Sequence, residues 1–252
     1  MTLSAHAALA AGADIGGFFA VDADRAGPGW RRWGDLAGRP PVLAEQVALA
    51  RAGLAGTAGL AAGDIEPRVA ASVWFLGVAA RVVAPPLAGC VLAGALPRVT
   101  PAMLWWRPVA GELWALAVDP VVVDAVGTAD TAGTVGTADT VGTGDAPADA
   151  PAFAATVVAG LLAPLVEAVA TGWHVSRRVL WGDAGSAVGG AAAALAAGRP
   201  DRAAGAAALA AGVLDLGPLR GTLNGAGVRR SCCLLYRVPG RTTCGDCVLT
   251  TR

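Results

Sequence analysis

Arg229-Arg-Ser-Cys-Cys-Leu-Leu-Tyr-Arg-Val-Pro-Gly-Arg-Thr-Thr-Cys-Gly-Asp-Cys-Val-Leu249 is the stretch around which the rest of the chain has to be read. Four of the five cysteines fall within sixteen residues, as Cys232-Cys233-x10-Cys244-x2-Cys247. Helical periodicity is absent there and Gly, Arg and Cys dominate, so the spacing predicts an irregular segment organised by whatever the sulfurs hold. Four thiols this close point first to a soft metal centre. An iron–sulfur cluster, a structural zinc ion and a pair of disulfides are all open to them. Zinc usually takes two spaced Cys-x2-Cys knuckles, whereas here one pair is adjacent. Adjacent side chains diverge, which suits a cluster of several atoms better than one tetrahedral ion.

Upstream the character changes. Over half of the 252 residues are apolar, with Ala and Gly supplying much of that, so the positive mean hydropathy reads as Ala-rich. A helix is predicted from about Val42 to Leu54. A second is predicted with Asp64 as its cap and Pro67 in its first turn, running through Val83 until Pro85-Pro86 ends or kinks it. Two runs, Arg98–Arg107 and Glu112–Val118, are rich in Val, Leu and Trp and predict an antiparallel hairpin. Helix returns from Phe153 to about Val169, with Pro164 as a possible kink. After a loop over Thr171–Trp181, Asp183 is placed to cap an Ala-rich helix ending at Gly198, and Pro200-Asp201 opens another to about Leu214. The fold class is α+β: mostly helical, with a small antiparallel sheet and an irregular metal-binding segment. Residues 1–222 form the body and 223–252 the cysteine segment.

Residues 124–150 stand apart. Val126-Gly-Thr-Ala-Asp-Thr131 recurs as Val135-Gly-Thr-Ala-Asp-Thr140, with five Asp and no basic or aromatic residue. Such a segment cannot bury enough apolar surface to offset its ordering entropy, so a flexible insertion is predicted. The apolar runs Val69–Gly94 and Phe153–Val169 are broken by Arg81, Pro85-Pro86, Pro164 and Glu167, and predict buried helices better than membrane spans. Met1–Gly12 lacks the charged start and long apolar stretch of a secretory signal. A cytoplasmic chain with reduced thiols is therefore expected.

Formal net charge is zero, so no global field attracts nucleic acid. The charge is unevenly spread: from Arg220 onward six Arg face one acid, Asp246, leaving this tail at net +5. There is no Lys anywhere, which reflects codon bias more simply than function. No Gly-x-Gly-x-x-Gly follows a predicted strand and no Walker loop occurs, so neither a dinucleotide nor ATP is expected. No acid–base or nucleophile constellation offers catalytic residues. Cys90, alone in an apolar run, reads as a small buried hydrophobe, and Trp105, Trp106 and Trp114 as core cover. Gly240 and Gly245 would let backbone N–H groups approach sulfur.

The segment Arg229–Leu249 resembles the C-terminal signature of the FhuF-like ferric-siderophore reductases. Ser176-Arg-Arg-Val-Leu-Trp-Gly-Asp-Ala-Gly-Ser186 is similar to a second segment of that family. The resemblance implies a [2Fe–2S] cluster on Cys232, Cys233, Cys244 and Cys247. It implies one-electron reduction of a ferric siderophore, docked by the helical body. Arg177, Arg178 and Trp181 of the upstream segment, with Arg229, Arg230 and Arg237 of the tail, become the candidate substrate-binding residues. The electron would come from a separate protein, a ferredoxin or flavin reductase, with at most peripheral membrane contact. A ferredoxin-like electron-transfer module and a zinc-stabilised binding protein are the other readings of the cysteines.

Overall fold

The structure is a computed structural model, and it describes residues 5–109, 114–119, 123–125 and 150–250. Its helices are α1 (Ala5–Leu9), α2 (Gly34–Gly38), α3 (Pro40–Ala58), α4 (Pro67–Ala93), α5 (Ala150–Phe153), α6 (Ala163–Trp173), α7 (Arg177–Gly198) and α8 (Ala203–Leu214). A π-helical stretch, Ala154–Leu162, joins α5 to α6. The strands are β1 (Arg31–Arg32), β2 (Ala95–Pro97), β3 (Leu104–Arg107), β4 (Ala115–Val118) and β5 (Val123–Ala125). This is the mostly helical α+β architecture that the sequence predicts.

The centre of the fold is α4, packed most extensively on α7, which in turn lies against α8. Eighteen of its residues are buried, among them Phe75, Val83, Leu87 and Cys90. Burying each large apolar side chain contributes about 1.5–3 kcal/mol. That packing explains a departure from expectation: α4 does not stop at Pro85-Pro86 but continues to Ala93. Each proline removes a hydrogen bond to the preceding turn. The residues on both sides (Val82, Val83, Ala84, Leu87, Ala88) are buried, so tertiary contacts override the break. Arg81, the charge in this apolar run, is internal. It donates to the carbonyls of Trp114 (2.8 Å), Phe18 (3.0 Å) and Ala20 (2.5 Å), tying two other segments to α4. Burial pulls its pKa down to about 10, with Asp22 opposing, so it stays charged at neutral pH.

Pro164 is accommodated differently. The Ala163 N–H donates to the Val158 carbonyl, an i→i−5 bond, so the register has already widened where the proline withholds its donor. The three helical stretches Pro67–Ala93, Ala150–Trp173 and Arg177–Gly198 are long and apolar enough to cross a membrane by length and composition. Of the most apolar window in each, 72%, 44% and 56% is buried within the fold.

β3 and β4 pair antiparallel, as the hairpin reading expects, although β3 is only the last part of the run predicted from Arg98. The residues just before α2 add an unforeseen third strand, β1, with Arg31 opposite Trp106. β2 instead pairs with β5. Trp106 is fully buried and stacks on Trp114, with ring centroids 4.4 Å apart, while Trp74 meets Trp114 edge-on at 5.7 Å. Trp105 faces the other way, between the guanidinium groups of Arg25 and Arg32. Most of the predicted insertion, residues 126–149, lies outside the described residues.

Candidate functional site

The site is built where α7 meets the cysteine segment. Ser176, not Asp183, caps α7: the Arg178 N–H donates to Ser176 Oγ at 3.3 Å. The helix therefore begins at Arg177, and Asp183 falls inside it with no exposed surface. The expectation that Asp183 is a cap fails because Ser176 satisfies the first turn earlier in the chain.

Two glycines on α7 let the tail lie directly on the helix. A Cβ on Gly182 would sit 2.0 Å from Ser231 Oγ, and one on Gly185 would sit 2.4 Å from Thr222 Oγ1. The tail is pinned laterally as well. The Arg230 N–H donates to the Thr222 carbonyl at 2.9 Å and the Arg229 N–H to the Asp246 carbonyl at 3.0 Å. Asn224 Oδ1 accepts from the N–H groups of Ala226 and Val228 at 3.0 and 2.9 Å, closing the turn before Arg229. Further along, Arg237 pairs with Glu66 at 2.7 Å and Arg241 donates to Thr57 Oγ1 at 2.5 Å, reaching the start of α4 and the end of α3.

This scaffold brings the four cysteines together as thiols, none in a disulfide. Cys233 and Cys247 are buried, whereas Cys232 and Cys244 are partly exposed. Cys233 Sγ and Cys244 Sγ are 3.5 Å apart. Backbone donors already aim at sulfur. The Leu234 N–H points to Cys232 Sγ and the Leu249 N–H to Cys247 Sγ, each at 3.4 Å. These come from leucines rather than from Gly240 or Gly245. Leu234 reaches its position with φ of +67°, a left-handed conformation costing about 1–2 kcal/mol for such a residue. Gly240, also at positive φ, serves the turn. Burial pushes the Cys244 thiol up to about 12, against the pull of Arg229, and raises Cys232 too, so both give up protons on binding metal. Among the described residues no three His, Cys, Asp or Glu side chains converge as ligands of one ion.

Arg229 is the closest charged neighbour. Its Nη2 lies 2.7 Å from Cys244 Sγ and 2.9 Å from Asp246 Oδ1, and its Nη1 lies 2.5 Å from Asp183 Oδ1. Its side chain is 1% exposed, so Arg229 is not on a docking face, contrary to expectation. Burial works against its charge, but Asp183, Cys233, Asp246 and Cys244 raise its pKa above the usual value. Burial also pushes the Asp183 carboxyl up to about 7, opposed by Arg229 and by Ser72 Oγ at 3.1 Å.

The other candidates separate by position. Arg178 and Arg230 are exposed neighbours, with Arg178 Nη2 3.5 Å from the Arg230 carbonyl. Arg177 is exposed and paired to Glu167, and Arg237 is committed to Glu66. Trp181 is half-buried against the core. Sequence reasoning missed Ser72 and Glu66, which carry no motif, and misassigned Asp183. A cleft of about 360 Å³ between Ile15–Phe19, α4 and α7 has no cysteine in its lining.

The residues fit a [2Fe–2S] group. Three of the four thiols meet backbone or guanidinium donors, and Arg229 Nε is buried with no partner in the protein, a donor left for an acceptor the chain does not supply. A family model described as FhuF 2Fe-2S C-terminal domain matches residues 229–249, a small share of the chain. No curated protein matches. Residues 229–249, with Cys232, Cys233, Cys244 and Cys247 among them, are thus similar to the FhuF [2Fe–2S] C-terminal domain, and that likeness indicates a [2Fe–2S] cluster.

Proposed function

We propose that this chain reduces ferric siderophores by one electron, releasing the metal as Fe(II). The observation that carries the reading is the uneven burial of the cysteines in a FhuF-type [2Fe–2S] domain. Cys233 and Cys247 are covered, while Cys232 and Cys244 are partly exposed, and exposed Arg230, two residues before Cys232, has Arg178 Nη2 3.5 Å from its carbonyl. A [2Fe–2S] group supplies single electrons. Iron(III) held by hydroxamate or catecholate oxygens is a hard, highly charged ion, and Fe(II) binds those anions far more weakly. The chain's own residues need only bring the complex against the Cys232/Cys244 edge. Arg178 and Arg230 offer it positive charge, and Tyr236 and Leu249, 48% and 38% exposed, offer apolar surface. No proton transfer at a protein group is required.

The electron enters from a separate donor protein, a ferredoxin or a flavin reductase, because the sequence lacks a dinucleotide-binding loop. In this reading the chain works in the cytoplasm, with at most peripheral membrane contact and without nucleic acid. The body over residues 1–222 gives the complex a docking surface that a bare electron carrier would not need.

The test is anaerobic. Dithionite-reduced protein, freed of excess reductant, is mixed with ferric hydroxamate and catecholate complexes while Fe(II) is trapped with a chromogenic chelator. Stoichiometric bleaching reversal with one Fe(II) formed per electron is expected for at least one complex. Inertness to every ferric complex, together with rapid oxidation by an oxidised ferredoxin, would establish the ferredoxin-like module instead.

A further inference from the structure

Asp183 lies in the second turn of α7, a helix that supplies no cysteine, yet it is completely buried beside the cluster ligands. Arg229 Nη1 reaches it at 2.5 Å and Ser72 Oγ, from α4, at 3.1 Å. The same Ser72 hydroxyl lies 3.0 Å from the Cys233 carbonyl. A chain of polar contacts therefore runs from α4 and α7 to the backbone of one ligand and, through Arg229 Nη2 at 2.7 Å, to the sulfur of another.

Stability does not explain this arrangement. A buried ion pair is often no more stabilising than well-packed apolar side chains of the same volume. Net charge does not explain it either, because Asp183 and Asp246 together outweigh the single guanidinium. What remains is direction. With Nη1 fixed by Asp183, the planar guanidinium presents Nη2 to Cys244 Sγ, and hydrogen bonds to cluster sulfurs are among the factors that set reduction potential.

We propose that Asp183 is a positioning residue for the iron–sulfur centre: it clamps one arm of Arg229 so that the other donates to Cys244 Sγ, and thereby raises the reduction potential. The inference stands whichever oxidant takes the electron. It also divides the basic tail, with Arg229 acting on the cluster from inside and the exposed arginines acting at the surface.

The two roles open to Asp183 predict opposite signs. As a bare negative charge it would disfavour the more anionic reduced state, and removing it would raise the potential. As a clamp, its removal frees Arg229 from Cys244 and lowers the potential. The experiment compares Asp183→Ala, Arg229→Gln and the double variant by anaerobic redox titration, with iron and sulfide content and the EPR signal of the reduced state. Arg229→Gln should shift the reduction equilibrium about tenfold toward the oxidised form, which is ~59 mV for one electron. Asp183→Ala should shift it the same way, and the double variant should go no further than Arg229→Gln alone. A raised or unchanged potential in Asp183→Ala, or additive shifts, overturns the proposal. If either variant does not retain iron and sulfide, the parent protein decides. With 15N-arginine incorporated, pulsed EPR of the reduced state should show a nitrogen coupling that Arg229→Lys abolishes, and its absence from the parent overturns the proposal.

Discussion

Substituting Gly185 by Ala tests the closeness on which the site depends. On an ordinary helix this change stabilises by about 1 kcal/mol, because Gly is the poorer helix former. Here the new Cβ would stand 2.4 Å from Thr222 Oγ1, 3.2 Å from Thr222 Cβ and 3.5 Å from Leu214 Cδ2. The hydroxyl cannot simply swing away, since it donates to the Leu219 carbonyl at 2.7 Å. Overpacking costs about 1–3 kcal/mol, and breaking the Thr222 hydrogen bond about 1 more. Set against the helix gain, the net is a loss of about 1–3 kcal/mol, or roughly 2–4 °C in Tm per kcal/mol for a chain of this size. The strain also reaches the cluster, because the Thr222 carbonyl holds the Arg230 N–H at 2.9 Å, two residues before Cys232. Thermal unfolding and the rate of iron loss to a chelator report the two effects. Gly185→Ala should lower Tm and speed iron loss, and adding Thr222→Ala should cost less than the sum of the single changes. A variant with raised Tm and unchanged iron retention would refute the close approach.

Two further outcomes follow from the same geometry. Arg178→Gln with Arg230→Gln should slow reduction of anionic ferric complexes more than cationic ones, with the gap closing at high salt and the potential unchanged. Stopped-flow mixing across ionic strengths checks this, and equal slowing of both would make these arginines plain solvated surface. Trp106→Ala should cost about 3–5 kcal/mol in denaturant titration, as for other buried aromatics. Trp105→Ala, which gives up its contacts with Arg25 and Arg32 at about 0.5–1 kcal/mol each and the hydrogen bond that its Nε1 donates to Asp119 at 2.9 Å, about 1 kcal/mol, should cost less. The reverse order would contradict the sheet's assignment of faces.

Legibility was highest where chemistry is local. The cysteine segment, its irregular backbone and the positions of α3 and α8 follow from spacing, composition and proline placement. The hairpin was visible in its Val, Leu and Trp runs, but β1 was not, since a two-residue strand exists only through its partner β3. The continuation of α4 through Pro85-Pro86 depends on burial of both flanks, which no local rule contains. Asp183 shows the limit most clearly. In sequence it looks like a helix cap ahead of an Ala-rich run. Its partner stands forty-six residues away, and only the fold brings the two together. The same distance hid the place of Arg229, which reads in sequence as a substrate-binding arginine of the tail and in the fold is surrounded by Asp183, Asp246 and Cys244.

The order of these parts along the chain has a consequence for biosynthesis. Ribosomal synthesis completes α4 and α7 before Arg229 and the cysteines emerge, so Asp183 is made without its cation. A body folded at that stage holds the Asp183 carboxyl with Ser72 as its remaining side-chain partner; burial already pushes it up to about 7 against Arg229, so without the guanidinium it is held protonated and short of hydrogen-bond partners. The seam between α4 and α7 is therefore the part of the nascent body least able to settle until the tail arrives. Maturation and folding meet at this seam: the tail that brings the sulfurs also brings the guanidinium that lets the two central helices close.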